Sequence, residues 1–387
     1  MGVISAIGNN VAENRLSLQQ GKCGMSRLET FPSKYADITP VGEIKISNEA
    51  LKEQLDAFEP GITRTSLLAL YAIRQALADS RLTSTQISSF DTALIGASTV
   101  GGICLTDEMY RDAQKDYPGS EYLSSYNSGT ICMYLQKRYS MNGPVNTINT
   151  ACSSSANAIM YGARLIRAGR ARRAIVGGVD SLAKFTINGF NALHILSPSI
   201  CTPFDEERKG LNLGEGAAFL VLEKEEDVAG KKIYASLSGY CNSNDAFHTS
   251  SLSEEGEGPY MAMKGALNAA KIDAAEIDFI NAHGTGTENN DKVESVAMIR
   301  IFGKTPAFAS TKSNIGHTLG AAGAIEALYC ILNLAEQELY PGLHFNKPIA
   351  GLGLKPVQTY KKTPLTHIMS NSFGFGGNCS SLIFSKA

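Results

Sequence analysis

Eight cysteines are scattered along the 387 residues without a single CxxC pair. The usual signals of a zinc site and of a disulfide framework are therefore missing, and reduced thiols are expected. Charge is also scarce: Asp, Glu, Lys and Arg make up 19% of the chain, and the net charge is -2. Such a balance gives no electrostatic footprint for nucleic acid, although Arg64, Arg138, Arg172 and Arg173 could still gather into a local patch that receives an acidic partner. No uninterrupted apolar run reaches bilayer-spanning length, and the first residues lack a basic stretch followed by an apolar core and a small-residue cleavage site. The expectation is a cytoplasmic protein that does not insert into a membrane. No Pro- or Ser-rich linker and no low-complexity segment interrupts the chain, so one compact body is expected.

What the chain does hold is 43% hydrophobic residues, ample for a large core, and 37 glycines, which suggest many tight turns and close backbone approaches. Short β-branched or apolar runs at Thr92–Ala97, Val145–Asn149 and Ala174–Gly178 read as buried strands. The second half offers Ile277–Ala282, Ala307–Ser310 and Ile368–Ser372. Each run lies near a helical pattern, which argues an α/β protein. Ser153–Arg170 and Thr318–Gln337 read as buried helices, the second with Gly320 and Gly323 allowing close packing. Leu252–Gly258 and Ser199–Gly210 read as loops. Both halves thus pair a strand, a turn with a reactive residue and a buried helix, although no direct repeat is visible.

The reactive residues stand in those turns. Cys152 lies between a strand and a helix start, within Asn149-Thr150-Ala151-Cys152-Ser153-Ser154-Ser155. Unpaired helix-start amides and the dipole favour a thiolate there, and small neighbours leave room for a substrate. Cys104, Cys132, Cys330 and Cys379 read as packing residues. His283 occupies Asn281-Ala282-His283-Gly284-Thr285-Gly286-Thr287, ahead of an expected helix start at Asp291-Lys292-Val293-Glu294. His317 ends Ser310-Thr311-Lys312-Ser313-Asn314-Ile315-Gly316-His317. His194, His344 and His367 read as structural, and His248 stays open. A cysteine and two histidines at strand ends can converge where α/β proteins bind ligands, and the constellation suits acyl chemistry. No metal-ligand spacing accompanies them, so no metal is expected.

Asn149–Ser154, His283–Thr287, Lys312–Gly323 and Asn371–Gly377 resemble the motifs of the β-ketoacyl-acyl carrier protein synthases. So do Gly2–Gly8, Gly177-Gly178, Thr202-Pro203-Phe204-Asp205 and Leu213-Gly214-Glu215-Gly216, in that family's order across nearly the whole chain. The Cys-His-His set resembles the elongating branch; initiating synthases pair their cysteine with His and Asn, and thiolases with His and a second Cys. The resemblance implies the thiolase fold, with two pseudo-duplicated halves in a five-layered αβαβα arrangement. Residues 1–230 would carry the nucleophile and residues 231–387 both histidines. It implies a condensing acyltransferase that needs no cofactor, draws its substrates from the phosphopantetheine arm of an acyl carrier protein, and works as a homodimer or as a heterodimer with a chain-length factor.

In such a synthase Cys152 is the nucleophile and later the leaving group. His283 and His317 donate to the malonyl thioester oxygen where enolate charge develops, worth about 3 to 4 kcal/mol per donor. Their tautomers are not visible in a sequence. The amides of Cys152 and Phe375 form the oxyanion hole for the acyl carbonyl, and Lys312, paired with Glu326, tunes the histidines or merely fixes the loop. Thr285 and Thr287 resemble the pantetheine-binding threonines, with turn stabilisation as the plainer reading. Phe375 resembles a gate in a mobile loop that also carries Phe373, and Phe190 and Val100 match the acyl pocket, where each methylene accommodated contributes about 0.8 kcal/mol.

Three departures from the family pattern stand out. The chain starts at Met1-Gly2-Val3-Ile4-Ser5, where relatives have a longer first strand, so the strand is shortened or the start misassigned. Asn378-Cys379 replaces the usual Thr-Asn and puts the hydrogen bonding behind Phe375 in doubt. Glu288-Asn289-Asn290 stands where relatives have Pro and Gly, adding polarity at the channel mouth and suggesting a specialised branch that makes polyene or polyketide chains. The competing functions are a non-catalytic chain-length factor, against which Cys152 argues, a cysteine acyl hydrolase and a degradative thiolase.

Overall fold

The computed structural model describes residues 1–115, 119–228 and 230–387. Ten strands build two five-stranded sheets. The first holds β1 (Gly2–Ser5), β2 (Thr92–Ala97), β3 (Val145–Ile148), β4 (Arg173–Asp180) and β5 (Gly216–Glu223) in the order β1-β5-β4-β2-β3. The second holds β6 (Ser236–Asn244), β7 (Phe279–Asn281), β8 (Ala307–Ala309), β9 (His367–Phe373) and β10 (Asn378–Ser385) in the order β6-β10-β9-β7-β8. Numbered within its own half, each sheet reads 1-5-4-2-3. The senses agree as well: the first two pairings are antiparallel and the last two parallel in both sheets. The duplication that no repeat in the sequence reveals is thus written in the topology.

Helices alternate with the sheets. α1 (Arg64–Ser80) and α2 (Gly129–Arg138) cover the outer face of the first sheet, and α3 (Ser154–Arg167) packs on its inner face. Beyond α4 (Lys184–Ala192), α5 (Glu257–Ala270) covers the outer face of the second sheet with α6 (Glu288–Phe302) against it. α7 (Ala322–Glu336) lies beside α3 and, like it, touches both sheets. The result is five layers, αβαβα. The central pair is close because Gly323 faces α3, where a Cβ would come within 2.7 Å of the Ala156 amide nitrogen. Leu319–Glu336, although interrupted by Glu326, is by length and composition apolar enough to cross a bilayer, yet 89% of it is buried here as the core helix between the sheets.

All six expected strands form within about two residues of their expected ends. Leu252–Gly258 is only partly a loop, because α5 already begins at Glu257, and Asp291–Glu294 lies inside α6 rather than at its start. β1 pairs antiparallel with Gly216–Phe219 at a sheet edge over all four of its residues.

The proposed arginine patch does not exist. The Arg64 guanidinium is buried and forks onto Glu215 at 2.6 and 2.9 Å, while Glu215 also accepts from the amides of Ile44 and Leu182. Arg138 pairs with Glu59, Arg172 with Asp227 and Arg173 with Glu223. Each charge answers an acid supplied by a distant part of the chain. Because a buried carboxylate left alone is costly, Arg64→Met is expected to destabilise the protein by about 3 to 5 kcal/mol. Arg64→Lys, which lacks the planar fork, should recover only part of that loss in urea unfolding.

Candidate active site

Four turns of the duplicated fold meet at one end of the two sheets. The turn after β3 carries Cys152, the turn after β7 carries His283, the segment after β8 carries Lys312 and His317, and the β9–β10 connection carries Phe375. Cys152 follows Ala151, which is held at φ +53°, and sits immediately before α3. The tight approach of the β9–β10 loop requires Gly374: a Cβ there would lie 2.7 Å from the Thr150 carbonyl oxygen and 3.1 Å from the Cys152 nitrogen. The main chain of His317 is clipped on both sides, its N–H donating to Asn212 and its carbonyl accepting from Gly214.

Cys152, His283 and His317 are all buried, and their donor atoms lie within 4.8 Å of one another. The imidazole rings are nearly perpendicular, with centroids 5.4 Å apart. Three such donors could also surround a cation, but an ammonium already sits beside His283 and disfavours a second positive charge. That ammonium is Lys312. Its Nζ lies 2.6 Å from Glu326 Oε1, 2.5 Å from the His283 carbonyl and 3.3 Å from His283 Nδ1. An ammonium only donates, so Nδ1 accepts and the ring proton of His283 rests on Nε2, facing away from Lys312. Both histidines are held well below the usual imidazole range, by burial first and then by the charge of Lys312. They are neutral donors. Neither ring nitrogen of His317 has a partner among the described residues.

Cys152 behaves differently from its sequence reading. Burial pushes its thiol up to about 11, against the opposing pull of the Lys312 charge and the amides of Phe375 and Cys152. The helix-start position therefore does not yield a resting thiolate; desolvation wins.

A cavity of about 610 Å³ opens onto these groups. Cys152, His283, His317, Phe190, Thr285, Thr287, Phe373 and Phe375 all line it. The Thr285 and Thr287 hydroxyls are 2.8 Å apart. The half-buried Phe375 ring stacks on Phe190 with centroids 5.8 Å apart, and Phe373 lies 5.8 Å from the His283 ring. Lys312 and Glu326 stand behind His283 rather than on the wall. Val100 is off the wall too: it is buried in an apolar cluster with Leu182, Ile187, Leu211 and Leu319, against which Phe190 packs. Asp180 holds that turn, accepting from the amides of Thr99 and Val100 and of Gly320. His248 is exposed on the loop beyond β6 and does not line the cavity.

Several supporting groups escape a sequence reading. Glu294 accepts from the amides of His283 and Gly284 and from Asn371, and burial pushes it up to about 7. Asp291 accepts from the amides of Gly286 and Phe204. Their only signal was the acidic character of a segment read as a helix start. Asn378 answers the doubt about hydrogen bonding behind Phe375: its Oδ1 accepts from Ser153, Asn157 and Asn242 at 2.7, 2.9 and 2.8 Å. Cys379 is buried in the apolar cluster of Leu252 and Phe373.

The β-ketoacyl synthase N-terminal domain family matches residues 1–228, and the β-ketoacyl synthase C-terminal domain family matches residues 234–346. The chain is 40% identical to the 3-oxoacyl-[acyl-carrier-protein] synthase 2 of Rhizobium meliloti, over 93% of this chain and 90% of that one. Among solved structures it resembles the ishigamide ketosynthase/chain length factor, with a TM-score of 0.92, 27% identity and coverage of 100% and 97%. A ketosynthase in complex with its chain length factor from Xenorhabdus doucetiae aligns at a TM-score of 0.83 and 33% identity, covering 100% and 96%.

A thiol raised by burial reacts only as fast as its thiolate fraction allows. Iodoacetamide alkylation of Cys152 should therefore climb about tenfold per pH unit and still be climbing where an ordinary thiol, near about 8.5, has levelled off. Lys312→Met should move the rise to higher pH, because it removes a charge that favours the thiolate. A plateau reached at or below the ordinary thiol range would contradict the burial argument.

Proposed function

The chain belongs to the β-ketoacyl synthase family, and we propose that it lengthens an acyl chain held as a thioester on Cys152, using malonyl units delivered on an acyl carrier protein. The observation that carries this reading is the pairing of one buried thiol with two neutral imidazoles in a single cavity. Residues 1–230 contribute the nucleophile and residues 231–387 both histidines, within the thiolase fold.

In the first half-reaction Cys152 sulfur attacks the acyl thioester, and the carrier's pantetheine thiol leaves with the proton given up by Cys152. The amides of Cys152 and Phe375, whose pull opposes the rise of the thiol, are the donors we assign to hold the carbonyl oxygen as it gains charge. In the second, malonyl-carrier protein enters, the bond to its carboxylate breaks and carbon dioxide departs. The electron pair moves onto the thioester as an enolate, whose oxygen takes hydrogen bonds from His283 Nε2 and from His317. The enolate carbon then attacks the acyl group on Cys152, a carbon–carbon bond forms, and the thiolate leaves. Lys312 with Glu326 orients His283, Thr285 and Thr287 bind the arm, Phe190 and Phe373 bound the acyl path, and Phe375 gates it. No resident cofactor is required by these steps, and we place the enzyme in the cytoplasm.

The product belongs to fatty acid or to polyene or polyketide assembly. Likeness to a ketosynthase solved with its chain length factor favours a second reading of the assembly, in which the chain works as the catalytic half of a heterodimer rather than as a homodimer.

Intact-mass measurement after incubation with a panel of acyl-carrier proteins should show an acyl adduct that disappears in Cys152→Ala. Addition of malonyl-carrier protein should release a product two carbons longer. His317→Ala is expected to keep acylation but slow decarboxylation by about 100- to 1,000-fold, the usual effect of losing one oxyanion donor. Failure of every carrier to acylate the chain, alone or with a chain-length-factor partner, would remove the reading; acylation without a partner favours the homodimer.

A further inference from the structure

Asn289 stands in the first turn of α6, on the cavity wall. Its carboxamide makes two hydrogen bonds to one main-chain unit across the mouth. Oδ1 accepts from the Leu252 N–H at 2.8 Å, and Nδ2 donates to the Leu252 carbonyl at 3.1 Å. Only one orientation of the amide satisfies both bonds, and together they give Leu252 what a neighbouring β-strand would give it. The Leu252 side chain is buried with Val293 and Phe373, so the clamp and the packing act on the same residue.

Leu252 ends a loop whose base is closed by Asp245, which accepts from Ser253 and from the Gly258 amide. Between these points the loop carries exposed Phe247 and His248 and sends Ser250 and Ser251 to the cavity. The loop is also tied to the Phe375 loop twice: the Thr249 carbonyl accepts from the Gly376 N–H at 2.8 Å, and the Asp245 N–H donates to the Gly377 carbonyl at 2.8 Å. A displacement of the Phe375 loop away from Thr249 breaks the first of these bonds. The Asn289 clamp does not depend on it.

We propose that Asn289 is a positioning residue, whose clamp on Leu252 keeps the Ser250–Leu252 wall in place beside Thr285 and Thr287 while the Phe375 loop moves. The wall then stays formed for the extended thioester arm in both half-reactions. This rests on the reading that a carrier-borne arm passes through the cavity, and the clamp itself can be tested without it.

Hydrogen–deuterium exchange of the free protein reads the clamp directly. In Asn289→Ala, exchange at the Leu252 amide and its neighbours should accelerate about tenfold, the effect of losing a net hydrogen bond or two. Turnover reads its use. The ratio of kcat/KM for malonyl-carrier protein to kcat/KM for a truncated malonyl thioester of N-acetylcysteamine should fall about tenfold, through KM for the carrier substrate. Asn289→Asp, which keeps the volume and the acceptor but loses the donor, should lower the ratio in the same direction. Unchanged exchange in Asn289→Ala overturns the clamp whatever the turnover; faster exchange with an unchanged ratio overturns its role in holding the channel. If the wild-type protein turns over neither thioester, the synthase reading fails, while the exchange result still decides the clamp.

Discussion

The site is organised around one buried ammonium. Lys312 has three N–H donors and meets three acceptors, the Glu326 carboxylate, the His283 carbonyl and His283 Nδ1. A charge so deeply placed persists only when its hydrogen bonds are satisfied and an opposite charge is close. Satisfying them has chemical consequences for everything nearby. Nδ1 of His283 becomes an acceptor, which sends the ring proton to Nε2. The positive charge joins burial in keeping both imidazoles neutral, and the same charge opposes the desolvation that raises the Cys152 thiol. Burial and this one charge thus act together on three reactive groups: both keep the imidazoles neutral, ready to donate hydrogen bonds to an oxygen that becomes negative, while at the thiol the charge offsets part of what burial does.

Duplication explains how such a site can be built from short turns. In each half the third strand leads into the central helix: β3 through a short turn into α3 past Cys152, and β8 through the longer segment Ser310–Ala321 into α7 past His317. These two helices lie side by side at the centre of the five layers, so their starts are brought together by the packing that forms the core. Small residues at the contact, Gly323 against Ala156, let the halves approach closely enough for the turns to meet. A larger side chain there would act on the distance between nucleophile and histidines as well as on stability. The site's geometry and the core's density are therefore one constraint.

Much of this was legible in the sequence for a physical reason. Cys152, His283 and His317 each follow an apolar run and occupy a small-residue turn, a pattern that survives without knowing any partner. The parts that were not legible depend on partners remote in the chain. Arg64 meets Glu215 across 151 positions, which no local pattern announces, so a patch of four arginines stayed open in the sequence although all four are paired. β10 went unread because its Ser380 and Ser381 look solvent-facing, yet both are buried and bonded to Asn157 and Asn371. Val100 is buried in the cluster behind Phe190 rather than on the cavity wall, in a turn held by Asp180, eighty residues on, a partner that no local pattern announces. Local pattern predicts where chemistry can sit; tertiary hydrogen bonds decide what it faces.

Burial also separates chain extension from hydrolysis, the rival use of a cysteine beside histidines. A hydrolase must activate water with a base that accepts its proton near neutral pH. Here both imidazoles are held well below the ordinary range, which makes them poor bases while leaving them good donors. His317 presents two buried ring nitrogens with no partner among the described residues, on the wall of the cavity, an arrangement suited to a substrate oxygen that arrives to accept from one of them. Enolate formation supplies such an oxygen at the moment its charge grows, and carbon dioxide loss needs no base at all. The desolvation that makes the resting thiol reluctant to ionise is then the same property that shields its acyl thioester from water. A nucleophile slow to deprotonate but well protected once loaded fits an enzyme that must hold its intermediate until the next unit comes.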